Sequence, residues 1–347
     1  MPNDIFHALC IYRTAGIGPV KFNNLIAAHG SLDAAADTLN LSQDFKDSIL
    51  REMEALDKIG GFYISSADED FPQSLRCAHG CAPILSVVGN RKTLTKKTFG
   101  CVGTRHASSS GMNLMHGIAK RLAENNCAVV SGMAMGTDSS AHIGALDADG
   151  DTNTIAVFAG GVDYVWPPEN QILYERIKER GCVVSEMPIG VQPLPRQFAH
   201  RDKIIAALSD QLVLGESNEG SGSLITANFT LSLGRRIHAI PSHPSDPRSY
   251  GSNKLIREGK ATLCRGADDF FPELELDCCV VNTKTADSEG IEGCYGGILD
   301  FIGSIPITES DLSLRTGKNI SIIKTELAIL EMQNRIERAS GGIIRRT

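Results

Sequence analysis

The sequence predicts a mixed α/β chain, with a parallel sheet wrapped by helices at its centre, a helical domain ahead of it and a small helix-and-hairpin domain behind it. Three observations carry this. Seven short apolar runs between Phe99 and Cys264 ("FGCVG", "AVVSG", "TIAVFAG", "CVVSE", "QLVLG", "RIHAIP", "ATLC") alternate with segments of helical pattern such as "MNLMHGIAKRLAENN" and "ENQILYERIKERG". That rhythm belongs to parallel strands joined by crossover helices. Residues 1–70 are helical in pattern throughout, and from about Ile291 the order is three helices and a short hairpin, as in a winged helix. The 347 residues, 42% hydrophobic and 22% charged, suit two or three soluble domains with a sizeable core.

Taken in order, residues 1–70 contain "RTAGIGPVKFNNLIAAHG", in which Gly16-Ile17-Gly18 reads as the turn of a helix-hairpin-helix or SAM-like unit. Such a turn either offers amides to a DNA phosphate or serves helix packing. Residues 71–265 form the extended Rossmann-like core. Its runs end at Gly103, Gly132, Gly160, Glu186, Gly215 and Pro241. Ligands of open α/β sheets bind beyond those carboxyl ends, so the loops there are expected to line one crevice. Residues 266–290 read as an acidic linker, and residues 291–347 as the winged-helix domain. In its third helix Ile320, Ile323, Leu327 and Leu330 are expected to build the core.

The net charge of −7 argues against nucleic acid until its distribution is read. Residues 265–293 carry eight acids and two bases, whereas residues 190–260 carry nine bases and six acids. Binding responds to the local field, which leaves room for a basic face on an acidic chain. No apolar run reaches the roughly 18 residues of a membrane span. The opening "MPNDIFHALC" lacks a basic segment followed by an apolar one, and the expectation is a cytoplasmic protein that does not engage a membrane. Of ten cysteines none is in C-x-x-C spacing, and those in strand-like runs are expected to be reduced, buried hydrophobes. Cys77, His79 and Cys81 offer three ligands without a second cluster to complete a tetrahedral set, so no metal is expected.

Several chemistries are tested by motif. A P-loop needs Gly-Lys-Ser/Thr, but in "GESNEGSG" Ser221 stands where the lysine must be, which argues against ATP hydrolysis. A dinucleotide site needs G-x-G-x-x-G/A, and "GTRHASSSG" offers arginine and serines instead. No cofactor is expected. Asp138 and His142 lie one helical turn apart; they are read as a helix cap (Thr137 or Asp138) and a histidine under the loop, in preference to an acid/base or metal pair. Ser223 lacks any identifiable His/Asp arrangement and is read as loop support or as a hydroxyl that donates a hydrogen bond to a phosphate.

What remains is an anion site. In "NEGSGSLITANFTLSLGRRIHAIP" Gly220, Ser221 and Gly222 leave amides unobstructed before a helix expected from Leu224 to Leu233, an arrangement that favours a phosphate. Arg105 stands at the end of the first core strand beside small residues. "PRQFAHRDKIIAALS" adds Arg196, Phe198, His200, Arg201 and Lys203. Cations flanking one aromatic suit a single strand, with bases stacked on a ring and phosphates on cations. Phe198 is alternatively a core residue.

Six motifs then fall in sequence: "GTR", "SGMAMGTDSSAH", "GGVD", "FAHRDKIIA", "GSGSLITA" and "SYGSNKLI". In this the chain resembles the DprA/Smf DNA-processing proteins, over nearly its whole length. The resemblance implies single-stranded DNA binding without established catalytic activity, protection of incoming strands, delivery of a RecA-type recombinase onto them in transformation or recombination, and a homodimer. It also implies a basic pocket in which Arg105 is the pocket arginine, Phe198 the base-contacting aromatic, and Gly220 to Thr226 (Gly220, Ser221, Gly222, Ser223, Thr226) the phosphate loop. Asn253 and Lys254 of the last motif join the DNA-binding set. The chain departs from the family at Met135, where an arginine is usual, and at Asp202, where an asparagine is usual. Two other readings stand beside this one. A Rossmann nucleoside-monophosphate phosphoribohydrolase would carry an acid near Ile225 and Thr226, and a protein-interaction scaffold would hold a vestigial pocket.

Overall fold

All seven apolar runs become strands of one sheet. The structure, a computed structural model, describes residues 2–270 apart from 79, 151 and 152, and of the remainder only 307–309, 312, 323, 324, 327, 330, 331, 336–339 and 343–346. The described residues divide into two compact units, residues 1–277 and 278–347.

The first unit opens with helices α1 (Pro2–Arg13), α2 (Pro19–His29), α3 (Leu32–Asp37) and α4 (Gln43–Lys58). The Gly-Ile-Gly turn separates α1 from α2 as expected. Pro19 opens α2 at a position whose missing N–H costs nothing, and Gly30 at φ 77° closes it. Ser42 caps α4 by accepting from Phe45 N at 3.2 Å.

The helical reading of residues 1–70 needs correction beyond Lys58. Residues Gly61–Ser65 form strand β1, and after the short helix α5 (Gln73–Arg76) comes β2 (Ile84–Gly89). These two pair antiparallel with each other, and β2 pairs antiparallel with β6. The rest alternates as predicted: β3 (Thr98–Val102), α6 (Ser109–Glu124), β4 (Ala128–Ser131), α7 (Thr137–Leu146), β5 (Thr154–Val157), α8 (Gln171–Arg180), β6 (Gly181–Ser185), α9 (Pro195–Leu208), β7 (Gln211–Leu214), α10 (Ser223–Ser232), β8 (Ile237–Ala239), α11 (Tyr250–Arg257) and β9 (Thr262–Leu263).

The sheet order is β1-β2-β6-β5-β4-β3-β7-β8-β9, and every pairing from β6 to β9 is parallel. From β3 the chain builds outward to β6, then returns to lay β7 on the other side of β3. This reversal leaves a crevice between the ends of β3 and β7 that no connection covers.

Alternate residues of each strand serve opposite faces. Val130, Ile155 and Val157 pack with Ile204, Ile205 and Leu208 of α9. On the other face Phe99, Cys101 and Val129 pack with Met115 and Leu122 of α6. The N-terminal helices do not form a core of their own: Leu9, Phe22 and Ile49 share a cluster with Tyr63, Val88, Val183 and Phe158 of the sheet and its loops. Cys101, Cys127 and Cys182 are buried free thiols, as their apolar runs implied. Cys77 is exposed and Cys81 buried, while His79 lies outside the described residues.

The linker expected from residue 266 begins too early. Residues Ala267–Phe270 form a 3-10 turn that inserts Phe270 edge-on against Phe99, ring centroids 5.5 Å apart. The rest of that segment, residues 271–290, lies outside the described residues. In the second unit β10 (Ile307–Thr308), β11 (Ile336–Ala339) and β12 (Ile343–Arg346) make an antiparallel sheet ordered β10-β12-β11. Ile323, Leu327 and Leu330 are buried with Leu312 and Ile336, as the apolar spacing of the third helix predicted; Ile320 lies outside the described residues.

Candidate functional site

The uncovered end between β3 and β7 holds a cavity of about 350 Å3. Two loops wall it: Gly103 to His106 after β3, and Asn218 to Ser223 leading into α10. Their separation is fixed from beneath. Thr104 N donates to Glu216 O at 2.7 Å, and the Glu216 carboxylate accepts from Ser108 N at 2.7 Å and from the Ser108 hydroxyl. A buried carboxylate at the first turn of α6 thus anchors the Arg105 loop, with its charge at the favourable end of the helix dipole. Nothing in the motif reading pointed to Glu216.

The glycine loop separates into positions with different demands. Gly220 sits at φ +149°, which side-chain-bearing residues avoid. Gly222 has ordinary helical angles, φ −57° and ψ −31°, and a Cβ there would meet only Asp202 Oδ2, at 3.8 Å. The fold therefore does not require glycine at 222. Its N–H finds no acceptor among the described residues, and the residue lines the cavity at the start of α10. Ser217, Ser221 and Ser223 join hydroxyls beneath the loop, Ser217 to Ser223 at 2.8 Å. Ser223 is thus engaged in loop support, and helix α10 begins there, one residue before its expected start.

Arg105 is exposed at the rim, its guanidinium 5.8 Å from the centroid of the Phe198 ring. Phe198 is half-buried on the first turn of α9 and belongs to none of the core clusters, so the core reading of that ring does not hold. Arg201 covers the same ring at 5.6 Å but is only 6% exposed. Its Nη1 donates to Gly132 O and, at 3.4 Å, to Val157 O, and it pairs with Asp202 at 3.0 Å. The expected surface cation is instead the post that holds the ends of β4 and β5 to α9. A Cβ on Gly132 would overlap its guanidinium, which explains the glycine of "SGMAMG".

Asp138 does not cap α7; Gly136 occupies that position. Asp138 Oδ2 instead accepts from Gly132 N at 3.2 Å and Ala134 N at 3.4 Å, shaping the loop after β4. His142 lies under β5, 2.7 Å from Thr154 Oγ1, with Nε2 buried and without a partner. Burial pushes the Asp138 carboxyl up to about 6 against the opposing pull of Arg201. Burial, and then Arg201, holds His142 down at about 3. Asp202 is also raised, chiefly by burial.

These shifts oppose each other. Unfolded Asp and His titrate near 3.9 and 6.5. Between pH about 6 and 4 folded Asp138 holds a proton the unfolded chain lacks, so its contribution to stability grows as pH falls. Below about 6.5 the unfolded chain takes a proton that folded His142 refuses, so stability is lost at about 1.4 kcal/mol per pH unit. Asp138→Asn keeps an amide oxygen for the two N–H donors and removes the compensation. Its denaturant midpoint is expected to fall more steeply than the wild type's between pH 6 and 4; parallel slopes contradict the assignment.

Of the residues expected at the site, the structure brings Arg105, Phe198, Arg201, Gly220, Ser221, Gly222, Ser223 and Thr226 together around this crevice and the slot beside it. Four others lie elsewhere. Arg196 is exposed at the start of α9 and lines neither cavity; Lys203 is exposed, its Nζ 5.9 Å from the Phe229 ring centroid. Asn253 clamps Ser242 through both amide atoms, at 3.3 and 3.0 Å, and Lys254 pairs with Glu219 at 3.4 Å. Both line a separate groove along α11. Among the described residues no cluster could hold a metal ion, and no helix is long and apolar enough to cross a membrane.

Comparison with known proteins accounts for most of the chain. Residues 62–275 match the family model for DNA recombination-mediator protein A, residues 2–55 the DprA-like N-terminal HHH domain, and residues 282–342 the DprA winged helix domain. The DNA processing protein DprA of Bacillus subtilis is 31% identical over 69% of this chain and 80% of its own. Protein Smf of Escherichia coli is 27% identical over 94% of this chain and 91% of its own. The X-ray structure of Streptococcus pneumoniae DNA processing protein A superposes with a TM-score of 0.66 at 27% identity, covering 79% of this chain and 98% of that one. DNA processing protein A of Helicobacter pylori, whose structure describes a single-stranded DNA binding mode, gives 0.56 at 25% identity, over 62% and 96%.

Proposed function

This chain belongs to the DprA/Smf family of DNA-processing proteins, and on that premise we propose that it binds single-stranded DNA in the crevice between β3 and β7. The observation that carries the reading is the meeting, at one topological switch point, of an unpaired amide at Gly222, an exposed guanidinium at Arg105 and a half-buried ring at Phe198. A phosphate suits the first two and the bases of a flexible strand suit aromatic surface, whereas duplex DNA keeps its bases stacked out of reach. The Helicobacter pylori relative supports the choice of single strand. Arg196, Lys203, Asn253 and Lys254, outside the crevice, would serve the strand's backbone as it leaves.

In this reading the protein protects incoming or processed single strands and loads a RecA-type recombinase on them in transformation or recombination, as a cytoplasmic homodimer. It acts by binding and not by turnover. The hydrolase alternative lacks its acid: helix α10 has Ile225 and Thr226 at that point, and Arg201 engages Asp202. A gel-shift titration is expected to show tighter binding to single-stranded oligothymidylate than to a duplex of equal length, and incubation with AMP to release no adenine. Preference for duplex, or release of adenine, overturns the proposal; absence of all binding favours the scaffold.

A further inference from the structure

Beside the phosphate crevice lies a smaller slot of about 100 Å3 that shares Arg105, Ala134 and Arg201 with it as walls. Its remaining walls include Met135, Trp166, Pro167 and Phe198. Met135 and Trp166 are each 46% exposed, although both are large and apolar. Trp166 is the chain's single tryptophan. It reaches the slot from the connection between β5 and α8, which is tied to the Met135 loop because Asn170 Nδ2 donates to Met133 O at 2.7 Å.

The two rings in this slot differ in what they already carry. Phe198 has a guanidinium near its ring on two counts, Arg105 at 5.8 Å and Arg201 at 5.6 Å from its centroid. Trp166 has no ring or cation contact among the described residues. A base stacking on Phe198 must share the ring with Arg105, while the Trp166 ring is taken by no other ring or cation among the described residues. Because Arg105 borders both cavities, a phosphate in the crevice leaves its own nucleotide's base within reach of the slot.

We propose that Trp166, backed by Met135, is a nucleobase-stacking platform for the nucleotide whose phosphate occupies the β3/β7 crevice. Met135, on the wall of the slot only, extends the apolar surface of this platform. Met and the indole together offer a polarisable surface to any base, so the slot selects stacked bases in general and no particular sequence. This rests on the single-strand reading above, and the test separates the two.

The full-length protein is titrated with oligothymidylate and with an abasic strand of the same length, and both Trp166 emission and affinity are followed. Oligothymidylate is expected to quench Trp166 emission and the abasic strand to leave it nearly unchanged. Trp166→Ala is expected to lose about five- to 150-fold in affinity for oligothymidylate, the span that stacking of one base represents, with unchanged affinity for the abasic strand. Trp166→Phe is expected to recover most of the loss. Equal loss on both strands, no loss on oligothymidylate, or unquenched emission on binding overturns the platform while the single-strand reading stands. Failure of the unaltered protein to bind either strand overturns both.

Discussion

Gly222→Val is expected to abolish single-strand binding while the protein stays folded. The backbone at 222 is helical and an added Cβ meets only Asp202 Oδ2, at 3.8 Å, so the fold gives valine room. The loss of a good N-cap residue costs about 1 kcal/mol at most. The branched side chain instead occupies the cavity mouth and keeps a phosphate from the Gly222 N–H. Hydrogen bonds to a charged group contribute about 1.5–3 kcal/mol each. Losing the amide, and the approach to Arg105 with it, should lower affinity by at least about a hundredfold. Unchanged affinity in a folded Gly222→Val protein contradicts the loop's role. Gly220, at φ +149°, is the contrasting position: substitution there strains the backbone itself.

Arg201→Leu should have its largest effect on stability. The guanidinium is buried, holds Gly132 O and Val157 O, and lies between the carboxyls of Asp138 and Asp202. Removing one member of a buried ionic cluster leaves the others uncompensated and costs about 3–5 kcal/mol. The denaturant midpoint should fall accordingly, with the affinity of the remaining folded molecules reduced much less. A stable variant with greatly weakened binding and a shallower salt dependence would return Arg201 to the role its sequence context suggests, that of a phosphate contact.

Most of the parallel strands were legible because they are apolar runs, several closed by a glycine, and burial on both faces writes such runs plainly into sequence. The antiparallel pair was not. β1 follows α4 after only Ile59 and Gly60, and its place at the sheet edge is decided by β2, about twenty residues later. Arg105 and the glycine loop were legible because their chemistry is local. The fate of Arg201 was obscured by its neighbours: beside Phe198, His200 and Lys203 it reads as part of a basic patch. Yet Ile204, Ile205 and Leu208 follow it at helical spacing, which places it on the buried face of α9. Trp166 and Glu216 carry no motif. Only the folding of β5 beside β4, and of β7 beside β3, brings them to the crevice.

Phosphates of a single strand are expected to sit between Arg105 and the Gly220–Ser223 loop. The most direct test is the affinity of the unaltered protein and of Arg105→Ala for one oligothymidylate across a range of salt concentrations. Arg105 is exposed and its side chain makes no hydrogen bond among the described residues, so the variant is expected to keep its fold. Each phosphate contact on a single strand contributes about 0.7 to the slope of log affinity against log salt. Arg105→Ala is predicted to bind more weakly, with the slope lower by about 0.7. An Arg105→Ala protein with the affinity and salt slope of the unaltered chain would contradict the account.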